Sequence, residues 1–146
     1  MGRRAPDPFE MDAQQLALAP DARRYTQSTM SYISMAGLSA ALDVLLDLGE
    51  ETCEEHSRSL AGLLVEGAAE HGWAPFRPLD DAAAAPHIIA LRHPELEAAA
   101  VVRALHSDGI VCSARNDRLR VSLAPYNDAA DVEALLAALA KYSKGL

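Results

Sequence analysis

Cysteine is scarce: the 146 residues contain two, Cys53 and Cys112. That excludes a disulfide framework and a four-cysteine zinc site and fits a reducing compartment, with each thiol read as a small buried hydrophobe. Basic residues are outnumbered, 13 against 21 acidic, for a formal net charge of -8, which opposes binding to nucleic acid or an anionic membrane surface. The opening MGRRAPDPF has a basic start but no apolar core or cleavage site, so the expectation is no secretory signal and a cytoplasmic location. The longest apolar tract, Met30 to Leu48, is interrupted by Ser31, Ser34, Ser39, Asp43 and Asp47 and reads as a core helix, not a membrane span. The five histidines, His56, His71, His87, His93 and His106, lack the i, i+4 spacing and the cysteine neighbours of zinc sites, so no metal is expected. His87, at the start of an apolar strand, reads as a satisfied core histidine. No G-x-S-x-G, P-loop or G-x-G-x-x-G occurs.

What is present is a chain of 15.6 kDa, half of it hydrophobic and 23% charged, enough for one ordinary core and too small for a complete two-domain enzyme. Residues 1 to 29, rich in Pro, Asp, Gln and Arg, read as an N-terminal arm that a partner surface orders. From residue 30 to 146 the patterns describe one domain. Apolar spacing predicts a helix from Ser31 to Leu48, ended by Gly49, and a second from Glu50 to His71, with acids in its first turn and Gly72 beyond its end. Pro75 to Leu79 permits no more than an edge strand, whereas His87 to Leu91 reads as a strand. A helix over Glu95 to Ser107 and a strand over Ile110 to Ala114 follow. Asn116 and Asp117 form a two-residue turn into a strand from Arg118 to Leu123. A last helix spans Asp128 to Lys144 with Asn127 as its N-cap. The expected fold is α+β: a small, largely antiparallel sheet covered by helices.

The hairpin carries the chemistry. Side chains alternate along strands and pair across the turn, so Arg115 faces Arg118 and Ser113 faces Arg120. One face then presents three arginines, and the other packs Cys112, Ala114, Leu119 and Val121. Convergent guanidinium groups in an acidic chain suit a carboxylate or phosphate; a charged sheet edge, or ion pairs with Asp117 and nearby acids, would also account for them. Thr26 to Thr29 (TQST) precedes a long helix, where a phosphate could bind or where Ser28, Thr29 or Ser31 simply caps.

Three segments in fixed order, RYTQSTMSY from Arg24, AGLSAAL from Ala36 and LRVSLAPYND from Leu119, resemble the C-terminal part of class V aminotransferases. These are fold-type I pyridoxal phosphate (PLP) enzymes that include cysteine desulfurases and isopenicillin N epimerase-like proteins. The resemblance implies the small C-terminal domain of that fold, an amino-acid substrate and PLP as cofactor. It makes Arg120 the grip on the substrate α-carboxylate and Arg115 a second substrate-binding arginine. Thr29 and Ser28 would contact the PLP phosphate, with Ser28 and Met30 replacing the family's flanking Gly and Pro. Cys112 is placed within a strand, and the two-residue turn leaves no loop for a sulfur-accepting cysteine. PLP enzymes need a Schiff-base lysine, yet the two lysines, Lys141 and Lys144, lie at the end of the chain. The resemblance therefore implies the small subunit of a split transferase, lyase or epimerase. A large subunit would hold PLP and the lysine in a heterodimer or heterotetramer, and the chain would not be active alone. The alternatives are a non-catalytic interaction or regulatory module of the same fold, or a piece of a longer enzyme.

Overall fold

A computed structural model describes residues 20–25 and 31–143. After a 3-10 turn at Ala22–Tyr25, the elements are α1 (Tyr32–Leu48), α2 (Glu50–Ala69), β1 (Ala74–Pro75), β2 (Ile88–Arg92), α3 (Ala98–Ser107), β3 (Ser113–Arg115), β4 (Arg118–Ser122) and α4 (Ala129–Tyr142). The strands form one antiparallel sheet in the order β1-β2-β4-β3, as the α+β reading expects. The described residues divide into two compact units between Val44 and Leu45, inside α1.

In the larger unit, alternation along the strands sends Ile89 and Leu91 of β2 and Leu119 and Val121 of β4 into the core. There they meet Leu60 and Leu64 of α2, Val101 and Leu105 of α3, and Leu135 and Leu139 of α4. α2 packs on α4 and β1, and α3 on β3, β4 and α4. Trp73 closes one end of this core, with its ring against that of His93 at 5.1 Å. Gly72 permits the approach: its φ is +81°, and a Cβ there would come within 2.9 Å of His93 Nε2.

The structure corrects several local expectations. Tyr32–Leu48 is helical, and none of its residues is buried; apolar spacing says that a face is to be covered, not by what. His87 is exposed, and the buried neighbour is Pro86. α3 starts at Ala98, three residues later than the apolar spacing suggests, because His93 Nδ1 accepts hydrogen bonds from the amides of Glu95 and Leu96, both at 3.1 Å, and holds them in a turn. Ile110 to Cys112 run outside the sheet, so Cys112 precedes β3 instead of lying in it. The N-cap of α4 is Asp128, not Asn127. Its carboxylate accepts from the Asp131 amide at 3.1 Å, and Asp131 returns a carboxylate to the Asp128 amide at 3.2 Å, a reciprocal capping box.

Candidate carboxylate-binding site

Asn116 takes the left-handed conformation, φ 55°, that a two-residue hairpin requires. The resulting register pairs Arg115 with Arg118, Ala114 with Leu119 and Ser113 with Arg120, as the sequence pattern predicts. β2 extends the polar face, since Ala90 pairs with Arg120. Phe76, whose amide donates to the Ala90 carbonyl at 2.8 Å, continues the same row beyond β1.

The arginines of this face have separate fates. The Arg118 guanidinium lies over the Phe76 ring, 3.5 Å from its centroid, across the small Ala90. Its Nε is 3.3 Å from Asp117 Oδ1, near enough for attraction but without hydrogen-bond alignment, so that buried N–H is unpaired. Arg92 reaches the other oxygen of Asp117 at 3.1 Å. The turn acid therefore neutralises Arg92 and Arg118 together, a reading the sequence allowed for Asp117. Among the described residues neither Arg115 nor Arg120 has a side-chain ion pair or hydrogen bond. Arg115 is exposed, and Arg120 is half-buried with its Nε wholly removed from solvent and unpartnered. A buried donor without an acceptor is costly, and the group that best satisfies a guanidinium is a planar oxyanion.

Arg120 lines a cleft of about 580 Å³ with Ile110, Cys112, Ser113, Ser122 and Tyr126. Residues 110–112, which lie outside the sheet, form part of its wall. Burial pushes the Cys112 thiol above its ordinary pKa, which suppresses the thiolate and suits a wall residue better than a nucleophile. The loop bearing Tyr126 is held by Asn127, whose Oδ1 accepts from the Ala124 amide at 2.9 Å and whose Nδ2 donates to Asp131 at 3.0 Å. The Asn127 carbonyl meets His56 Nε2 at 2.8 Å, tying the loop to α2. The Asn127 side chain, then the Asp128 amide, hold the Asp131 carboxyl below its usual range. Sequence reasoning missed Phe76; its only signal was a lone aromatic between Pro75 and Pro78.

Ser28 and Thr29 lie outside the described residues. No group of acids, histidines and cysteines able to hold a metal occurs among the described residues, and no single described helix is long and apolar enough to cross a membrane.

The sheet, its helices and their order are those of the small domain of fold-type I PLP enzymes. Cysteine desulfurase from Thermococcus onnurineus NA1 superimposes over 100% of this chain and 39% of its own, with a TM-score of 0.79 at 21% identity. The cysteine desulfurase CsdA from Escherichia coli is 30% identical over 78% of this chain and 31% of its own, with a TM-score of 0.68. An uncharacterized aminotransferase of Schizosaccharomyces pombe is 30% identical over 116 residues, which are 78% of this chain and 28% of that protein. The family model for class V aminotransferases matches residues 9–135, so this chain belongs to the class V aminotransferase family. It spans less than two fifths of the length of these relatives.

The family generally uses PLP, and the described residues do not fit the anchoring of that cofactor. A Schiff-base lysine must lose its proton. Lys141 instead sits 3.0 Å from Asp108 Oδ2 and 3.3 Å from the Tyr142 hydroxyl. Its pKa is raised by the Asp108 hydrogen bond first and by Tyr142 second. It remains an ammonium group binding the last turn of α4 to the end of α3.

Proposed function

We propose that this chain is the small subunit of a heteromeric, PLP-dependent class V aminotransferase-like enzyme acting on an amino acid, with Arg120 gripping the substrate carboxylate. The observation that carries this reading is the Arg120 guanidinium at a cleft wall with its Nε buried and unpartnered. A rigid sheet position fixes such a fork, and a fixed carboxylate in turn fixes the orientation of the bonds at Cα. A larger partner chain supplies the lysine and most of the cofactor site, in a heterodimer or heterotetramer. One feature supports the partner: α1 exposes Ile33, Leu38, Leu42, Leu45 and Leu46. Exposed apolar side chains in such number mark an interaction surface. Residues 1–29 form the arm ordered by the partner, and Thr29 with Ser28 contributes to the phosphate contact.

The test has two stages. Alone with PLP and borohydride, the chain gains no covalent adduct by mass spectrometry and consumes no amino acid. Co-expressed with a chain that carries the large domain of this family, it assembles and activity appears. In that assembly Arg120→Ala leaves the stoichiometry intact and lowers kcat/KM about 10- to 100-fold, as expected for one charge-assisted pair of about 1.5–3 kcal/mol. An adduct on Lys141 without a partner would refute the proposal. If Arg120→Ala released the partner, or left kcat/KM unchanged, a non-catalytic interaction module would replace the enzyme reading.

A further inference from the structure

We infer that the amino acid gripped at Arg120 carries an uncharged, apolar side chain, received by Val111 and Tyr126 in the same cleft. The inference rests on the carboxylate reading of Arg120 and adds the substrate class and two specificity-determining residues.

The charges that line the cleft disfavour the other classes. Among the described residues Arg120 is its one cation and Asp131 its one acid. Once Arg120 holds the α-carboxylate, a second carboxylate finds no cation in the cleft and is repelled by Asp131. A cationic side chain gains little, because Asp131 Oδ2 already accepts from Asn127 Nδ2 at 3.0 Å and from the Asp128 amide at 3.2 Å. What the cleft offers beside its cation is apolar surface. Val111 and Tyr126 both line it, and they are 83% and 87% exposed. Its volume of about 580 Å³ suits a small molecule.

The turn that carries Tyr126 is held independently of any ligand. The Asn127 amide donates to the Ala124 carbonyl at 3.0 Å, Asn127 Oδ1 accepts from the Ala124 amide at 2.9 Å, and His56 Nε2 meets the Asn127 carbonyl at 2.8 Å. None of these bonds uses the Tyr126 side chain, so the backbone is ordered while the ring stays in solvent. A fixed backbone removes the cost of ordering a loop on binding, and an aromatic side chain with two rotatable bonds loses little freedom on contact. An unpaired guanidinium and exposed apolar groups in one cleft match a ligand with a carboxylate at one end and hydrocarbon at the other.

The experiment titrates the full-length chain at low ionic strength with propionate and with three six-carbon acids, hexanoate, adipate and 6-aminohexanoate, followed by 1H–15N NMR. Hexanoate has three methylenes more than propionate. A fully buried methylene is worth about fourfold in affinity, and a cleft that covers them from one side gives about tenfold in all. Hexanoate therefore binds about tenfold more tightly than propionate and moves the amide signals of Val111 and Tyr126, whereas adipate and 6-aminohexanoate bind more weakly than hexanoate. Tyr126→Ala, at an exposed position, brings hexanoate to within about threefold of propionate and leaves propionate unchanged. Leu63→Ala, an apolar loss on the exposed part of α2, keeps the tenfold ratio. Equal affinities for hexanoate and propionate, adipate or 6-aminohexanoate binding as tightly as hexanoate, an unchanged ratio in Tyr126→Ala, or an equal fall in Leu63→Ala overturns the apolar inference alone. Propionate binding that survives Arg120→Ala, or no binding of any of the acids, overturns the Arg120 reading beneath it.

Discussion

Asn127 is where the candidate site and the fold's stability meet, and Asn127→Ala separates their causes. The side chain makes two bonds. Its Oδ1 satisfies the part-buried Ala124 amide at 2.9 Å, and its Nδ2 reaches the exposed Asp131 carboxylate at 3.0 Å. Truncation leaves the Ala124 N–H without an acceptor, a loss of about 1–3 kcal/mol. Solvent screens the bond to Asp131, so the stability change rests on the first. The Asp128 cap and the backbone contact to His56 do not involve the deleted atoms, so α4 still starts at Ala129. With a loss near 2 kcal/mol and a urea m-value of about 2 kcal/mol/M, the unfolding midpoint falls by about 1 M at unchanged m. A second readout isolates the other bond: the Asp131 carboxyl, held down chiefly by Asn127, moves up toward its ordinary value in an NMR pH titration. A midpoint within about 0.2 M of wild type, or an Asp131 titration that stays put, would refute the assignment of Asn127 as the clasp of the Tyr126 loop.

Two further substitutions probe the neighbouring surfaces. Phe76→Ala removes the ring under the Arg118 guanidinium, a part-buried cation–π contact at 3.5 Å worth about 1–2 kcal/mol; Phe76→Leu restores bulk without recovering that loss in urea unfolding, and full recovery would refute the ring's electrostatic role. Asp108→Asn addresses pH. The Asp108 carboxyl is held below its ordinary value, first by the Tyr142 hydroxyl at 2.6 Å and then by Lys141, so its contribution is complete above pH about 4 and disappears as acid takes the pH down through the folded value. Lys141 is raised, so its share is complete below the ordinary lysine pKa and is lost as pH climbs through the folded one. Thermal melts of Asp108→Asn therefore show a flatter stability profile at both extremes than wild type, and parallel profiles would contradict the linkage.

The hairpin was legible because its rules are local. Period-two alternation and an Asn-Asp turn determine the pairing of Ser113 with Arg120 whatever surrounds them, and the register bears this out. The α+β layering was legible for a similar reason, since glycine stops and apolar spacing divide the chain into the elements observed. Asn127 and Asp128 show where local reasoning ends. Both residues cap well, and the choice fell to Asp128 because Asn127 serves the Ala124 amide. α3 starts late because a histidine side chain competes for two amides that a helix pattern would have used. α1 has the spacing of a core helix and buries nothing, because spacing encodes a face and not its occupant.

The sequence by itself determined which residues are cationic, which face of the hairpin they share and which family supplies the fold. Only the tertiary structure decided which of those cations are already neutralised. Phe76 and Arg92 are distant in sequence from the hairpin and reach Arg118 and Asp117 only through the β1-β2-β4 order of the sheet. Charge pairing depends on distances between side chains from different strands, and these exist only once the strands are side by side.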